Sequence, residues 1–192
     1  MPECPPIFLL LIISQNLESI KRCSDLVVDI DETQPKNQKE SGGIKMDYIG
    51  RWKFHSIGVI NDSDEMEFLN AEDYLNSPMP YIDESDEEMV ADERKERRQM
   101  IGGQIAVCED GKLYMLLPLP EGVSQAEVDQ AVQAGHIRLY DGMMTDRPIA
   151  WEERDGELWF EAGEGMSEDG WAKASDENGF LVFMTTRYIK AE

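Results

Sequence analysis

The residues best suited to hold another molecule are three arginines and a set of large apolar side chains. Arg138, Arg154 and Arg187 each fall in a stretch that reads as a β-strand. A guanidinium turned inward from such a strand would anchor an anionic group by charge-assisted hydrogen bonds. Tyr114, Trp151, Trp159 and Met184 offer a matching apolar lining, and the 11 methionines of the chain suit a wall that adapts to shape. That chemistry is ligand binding without catalysis. His55 and His136 sit in no metal motif, and the chain contains no Gly-x-Ser-x-Gly, P-loop or HExxH pattern. Neighbouring carboxylates carry little information among 40 acidic residues, because a glycosidase pair needs a defined separation in space. No catalytic residue, metal or cofactor is expected.

These side chains need a scaffold, and the stretch Tyr48-Ile49-Gly50-Arg51-Trp52-Lys53-Phe54 suggests one. From Trp52 on, the chain alternates. Trp52, Phe54, Ser56, Gly58 and Ile60 fall on one face, and Arg51, Lys53, His55, Ile57 and Val59 on the other. Period two marks a half-buried strand. Gly50 permits a sharp entry into the sheet, and Trp52 is a large apolar plug for one end of a barrel. A closed barrel pairs its first and last strands. The last strand is expected over Phe180 to Lys190. Gly50, Trp52 and Arg187 would make the closure, with the guanidinium over the indole, a contact worth roughly 0.5–2 kcal/mol.

Between these ends the punctuation is readable. Asn61 to Glu65 reads as a helix start, with Met66, Phe68, Leu69, Tyr74 and Leu75 as the apolar face through about Asn76. Residues 83–100 form a charged helix candidate whose basic cluster, Arg94, Lys95, Arg97 and Arg98, reads as a solvated helix end. Glu109-Asp110-Gly111 joins strands over 103–107 and 112–117. Ser124 and Glu127 have capping-box spacing, and Gly135 suits the position after the helix end. That helix is expected to act as a lid or base plug. A strand follows over 136–140. Asp155-Gly156 joins strands over 149–154 and 157–161, Gly163 to Gly170 is a loop, and Asn178-Gly179 turns strand 171–175 into the last strand. The expectation is eight strands in a single antiparallel up-and-down barrel, mainly β, with two or three short helices.

The opening DYIGRWKF resembles the start of fatty-acid-binding proteins and other calycins, in which Gly-x-Trp opens the first strand. The helical segment after strand one resembles the helix pair that lids that barrel, and MTTRYIKAE resembles its last strand. The resemblance implies a calycin-like, lipocalin-like domain of bacterial type over residues 46–192. In fatty-acid-binding proteins an Arg and a Tyr two places later hold the ligand carboxylate. Here Tyr188 follows Arg187 directly and Ile189 takes the expected Tyr place, so alternation puts Arg187 and Tyr188 on opposite faces. The lipocalin-like role for Arg187 is packing on Trp52.

Composition bounds the partners. The chain has 192 residues, 18 basic and 40 acidic, for a net charge of −22. That balance excludes the basic footprint of nucleic-acid binding and disfavours anionic membrane surfaces. Cys4, Cys23 and Cys108 are odd in number and form no CxxC, which suits a reducing, cytoplasmic setting rather than a disulfide framework. Ile7 to Ile13 is too short to span a membrane. Gly42-Gly43 can be encoded by a purine-rich GGAGG just ahead of Met46, as at a bacterial ribosome-binding site. Residues 1–45 are therefore expected to be translated upstream DNA, the alternative being a disordered leader. The leading functional expectation is a carrier of a small hydrophobic or amphipathic ligand. The alternative is a protein-interaction module with a filled barrel and an acidic surface. The third is a barrel enzyme of isomerase or dehydratase type with an inward histidine or carboxylate.

Overall fold

The computed structural model describes residues 47–61, 63–162, 169–174 and 178–191. The expectations about residues 1–45, the start at Met46 and most of the 163–170 loop lie outside the described residues.

The chain enters β1 (Gly50–Ile60) through Gly50, whose φ of +128° is a backbone conformation that L side chains rarely adopt. Trp52 is 2% exposed, and its indole Nε1 donates to the Tyr48 main-chain oxygen at 2.8 Å. A β-bulge at His55 then sets Phe54 and Ser56 against consecutive residues of the partner strand, Tyr188 and Arg187. Strict alternation therefore fails at this point. Ile57, expected on the face away from Trp52, pairs with Thr186 and rejoins the inner row.

Beyond the bulge the chain turns back as β2 (Met66–Leu69), which pairs with Ile57 to Ile60. This corrects the expected helix start. Asn61 is a turn residue, its side-chain oxygen accepting from the main-chain N–H groups of Ser63 and Glu65. The helix starts later, as α1 (Ala71–Asn76), capped by Asn70. α2 (Glu87–Ile101) is capped by Asp86 and lies against α1 and β1. Then come β3 (Gln104–Val107) and β4 (Lys112–Leu117), joined at Gly111 with φ +75°. α3 (Gln125–Gln133) opens on the Ser124–Glu127 capping box, both of its bonds present. β5 (Arg138–Tyr140) and β6 (Met143–Thr145) form a hairpin over Asp141-Gly142. β7 (Ile149–Arg154) and β8 (Glu157–Glu161) turn at Asp155-Gly156, and β9 (Trp171–Lys173) follows. The expected last strand is two strands, β10 (Leu181–Phe183) and β11 (Thr186–Lys190), folded over Met184 and Thr185.

The sheet runs β10-β11-β1-β3-β4-β7-β8-β9, all pairs antiparallel, and curls into a half-barrel. First and last strands pair, Trp52 opposite Lys190 and Phe54 opposite Tyr188. The Val182 N–H donates to the Ala174 oxygen at 3.3 Å, linking β10 to the end of β9. The mainly β, up-and-down, calycin-like architecture with eight strands on its main path is thus present, but one stave differs. The expected strand at 136–140 lies off the path as β5, and the division of the last strand supplies the eighth. Every strand of the path sends side chains into one core: Trp52, Ile105, Val107, Leu113, Leu158, Phe160, Ala174, Leu181, Phe183 and Tyr188, with Trp151 and Ala172 packed against them. A second cluster joins Val128 and Ala131 of α3 to Ile137 and Met144, with Leu117 of β4 against it. Through it α3 packs on Leu117 at the end of β4.

Candidate functional site

The centre of the curl is packed. Ile105, Leu113, Leu158, Ala174 and Leu181 have 0% exposure. A ligand-sized cavity would leave its lining open to a water-sized contact, so these five side chains are in contact with protein on all sides. Phe160 and Phe183 tilt against each other with ring centroids 4.1 Å apart. Two tyrosines of this core carry hydroxyls: that of Tyr48 donates to the Gly156 oxygen at 2.9 Å, and burial pushes the Tyr188 pKa up to about 12 against the pull of its bond with Thr186. Among the described residues the buried polar or charged side chains are Ser56, Arg97 and Thr186, none of them a carboxylate or histidine, and His55 and His136 are both exposed.

The residues expected to line one pocket do not converge. Trp151 packs on the core, its indole Nε1 donating to the Cys108 main-chain oxygen at 2.8 Å. Tyr114 lies on the opposite side of its strand from Leu113 and Met115 and stacks on Tyr140 at 4.3 Å. Met184 is exposed in the β10–β11 turn, with φ +56°. None of the three arginines expected to point inward does so. Arg138 is exposed on β5. Arg154 sits three residues from the inward Trp151, and alternation sends it out. Arg187 alternates with Thr186 and Tyr188, both buried, and takes the outer side. The expected contact of Arg187 with Trp52 is replaced by others. Its guanidinium lies 3.5 Å from the Phe68 ring centroid and 5.4 Å from that of Phe180.

Among the described residues, the outer face of the sheet instead carries three arginine–aromatic groups. The first is Arg187 with Phe68 and Phe180, where His55 joins Phe180 at 4.6 Å between ring centroids. The second is Arg154, with its guanidinium 5.1 Å from the Trp159 ring and 4.7 Å from the Trp171 ring. The third is Arg51, which donates to Asp141 at 2.6 Å and Gln104 at 3.1 Å and lies 5.6 Å from the Tyr140 ring. Tyr140 in turn meets Cys108 Sγ at 3.4 Å, and this bond, ahead of the Cys108 charge and desolvation, raises the phenol pKa against the opposing pull of Arg51. β8 and β9 place Trp159 and Trp171 outside because Phe160 and Ala172 face in. Sequence reasoning had Arg154 and Trp159 but missed Trp171 as their partner. The signal was available, since Trp171 is one residue from the small inward Ala172.

The basic cluster of α2 also divides. Arg97 is 2% exposed and donates to the main-chain oxygens of Tyr74, Ser77 and Pro78, to the Ser77 and Tyr81 hydroxyls and to Glu93. It is a clamp on segment 74–81 and not part of a solvated helix end. Arg94, Lys95 and Arg98 are exposed as expected.

Comparison with protein-family models, with curated proteins and with solved structures gives no match. Among the described residues no helix is long and apolar enough to cross a membrane.

Proposed function

We propose that this chain is a non-catalytic interaction module of calycin-like type, in which the barrel is a filled scaffold and the binding groups stand on its outer face. The observation that supports this reading most is the packed interior. Side chains from all eight strands of the path pack into one core, which supports a barrel filled by its own chain rather than by a carried molecule. The outer face carries what an interface core uses, arginine against tryptophan, tyrosine and phenylalanine. A net charge of −22 selects a cationic protein surface as the partner and speeds its approach.

Titration with a fluorescent fatty acid, followed by native mass spectrometry of the same sample, tests the reading. The expected result is bare protein with no saturable uptake. A one-to-one complex, with the fluorescence of the interior Trp52 and Trp151 quenched by energy transfer, would overturn it in favour of a ligand carrier.

A further inference from the structure

The Arg154 group differs from the other two outer-face groups in its rings, which are both indoles. Arg187 is pressed against Phe68 at 3.5 Å, with its Nε buried. Arg51 donates to Gln104 and to Asp141, which is 78% exposed, and has a single ring, Tyr140, beside it. The guanidinium of Arg154 lies within 5.1 Å of two indole centroids, those of Trp159 and Trp171, and is bonded to two carboxylates. Its Nε donates to Glu152 at 2.5 Å and its Nη1 to Asp169 at 3.3 Å. Those carboxylates are 51% and 59% exposed, and the Arg154 side chain is itself 32% exposed. Ion pairs this open to water hold weakly. Indole offers the strongest aromatic face for a cation. The site is therefore a two-tryptophan clamp whose occupant from its own chain is held by ion pairs open to water.

We infer that the Trp159–Trp171 clamp is a docking site for an arginine side chain of a cationic partner protein, and that Arg154 is its resident competitor. The chemistry favours a guanidinium over other cations. A planar guanidinium fits beside aromatic faces and also gives directed N–H bonds to Glu152 and Asp169, which a quaternary ammonium cannot. Asp169 accepts from the Trp171 main-chain N–H at 3.1 Å, so the carboxylate and the indole of β9 are positioned together. Displacing Arg154 frees the clamp only when the incoming arginine comes with other contacts, because the resident is held at high effective concentration. The clamp thus discriminates against free arginine and for a basic peptide or protein surface.

This inference rests on the interaction-module reading and deepens it. Hexa-arginine amide is titrated into the full chain by calorimetry at 150 mM salt, alongside hexa-lysine amide. Arg154→Ala is compared with Arg94→Ala, which makes the same charge change at an exposed site on α2. The expected result is at least fivefold tighter hexa-arginine binding for R154A, less than twofold change for R94A, and weaker binding of hexa-lysine throughout. Trp159→Phe and Trp171→Phe, which keep a ring and the fold, are expected to reduce the gain of R154A, and the indole N–H resonances of Trp159 and Trp171 are expected to move in the wild-type chain at saturation. Equal shifts for R154A and R94A, or silent indole resonances, overturn the clamp. Peptide bound elsewhere on the surface overturns the clamp alone, whereas fatty-acid uptake into the interior overturns the reading beneath it.

Discussion

The guanidinium of Arg187 lies 3.5 Å from the centre of the Phe68 ring, on the opposite side of β11 from the core that holds Trp52. A cation this close to an aromatic face, with Phe180 on a further side at 5.4 Å, contributes about 1–2 kcal/mol. The partner is fixed by β2, whose pairing sets Phe68 opposite Gly58 on the outer face. A double-mutant cycle on urea unfolding reads this directly. Arg187→Gln with Phe68→Leu is expected to couple by about 1 kcal/mol or more. Arg187→Gln with Trp52→Phe is expected to be additive within about 0.5 kcal/mol. Coupling to Trp52 and not to Phe68 would reverse the assignment.

Arg97 predicts a contrast within one helix turn. It is 2% exposed, its Glu93 partner is 13% exposed, and it donates to three main-chain oxygens. Arg97→Ala removes the donor to the Ser77 and Pro78 oxygens and leaves the half-buried Glu93 carboxylate without its cation, at a cost of about 3–5 kcal/mol. Arg97→Lys keeps the charge but not the planar fork, and loses a large part of the same stability. Arg94→Ala and Arg98→Ala, at exposed positions, stay within about 0.5 kcal/mol. Hydrogen exchange is expected to show residues 74–82 opening first in R97A, because the clamp bonds to Tyr74, Ser77, Pro78 and Tyr81 are the ones removed.

What could be read in the sequence followed from local chemistry. The turns at Gly111 and Asp155-Gly156, the capping box at Ser124 and the stop at Gly135 all depend on residues within four positions of one another. The pairing of first and last strands followed from the need to remove sheet edges. The arginine faces were also legible, because Arg154 is an odd number of residues from Trp151 and Arg187 is adjacent to Tyr188. Expecting both to anchor a ligand inside overrode that parity. Asp141-Gly142 was as clear a turn signal as Asp155-Gly156 and marks the β5–β6 hairpin. Other features had no local signal. The bulge at His55 interrupts a continuous apolar alternation, and it is decided by the register of β11. The β10–β11 turn has neither Gly, Pro nor Asn at Met184 and Thr185. Met66 to Leu69 carries spacing compatible with either period, and pairing with the free half of β1 decides for strand.

Tyr188 gives the core a signature at high pH. Burial raises its pKa from 10.0 to about 12. The unfolded chain releases the phenol proton first, so between those values the folded state binds more protons and stability falls as pH rises. The contribution is complete below about pH 10, where both states keep the proton, and it is lost progressively toward pH 12. A shift of this size corresponds to about 3 kcal/mol. Urea midpoints at pH 9 and pH 11.5 are expected to drop further for the wild type than for Tyr188→Phe. Equal drops would mean that the Tyr188 hydroxyl reaches water.

Met184 turns a sequence-level expectation around. As a ligand contact it would lose affinity when truncated. In the fold it is 37% exposed, with φ +56°, in the turn between β10 and β11. A β-carbon is unfavourable in that left-handed conformation, and little packing compensates for it. Met184→Gly removes the strain but frees the unfolded chain, so its effect is the difference between two terms of about 1 kcal/mol each. Met184→Asn tolerates the left-handed region with less freedom in the unfolded state, and it is the variant expected to stabilise, by about 0.5–1 kcal/mol. Met184→Val, β-branched at the same φ, is expected to destabilise by more than about 1 kcal/mol. Thermal midpoints in the order Asn above wild type above Val would establish that backbone conformation, and not contact with a bound molecule, governs this position. The reverse order would show that Met184 is held by packing that outweighs its strain.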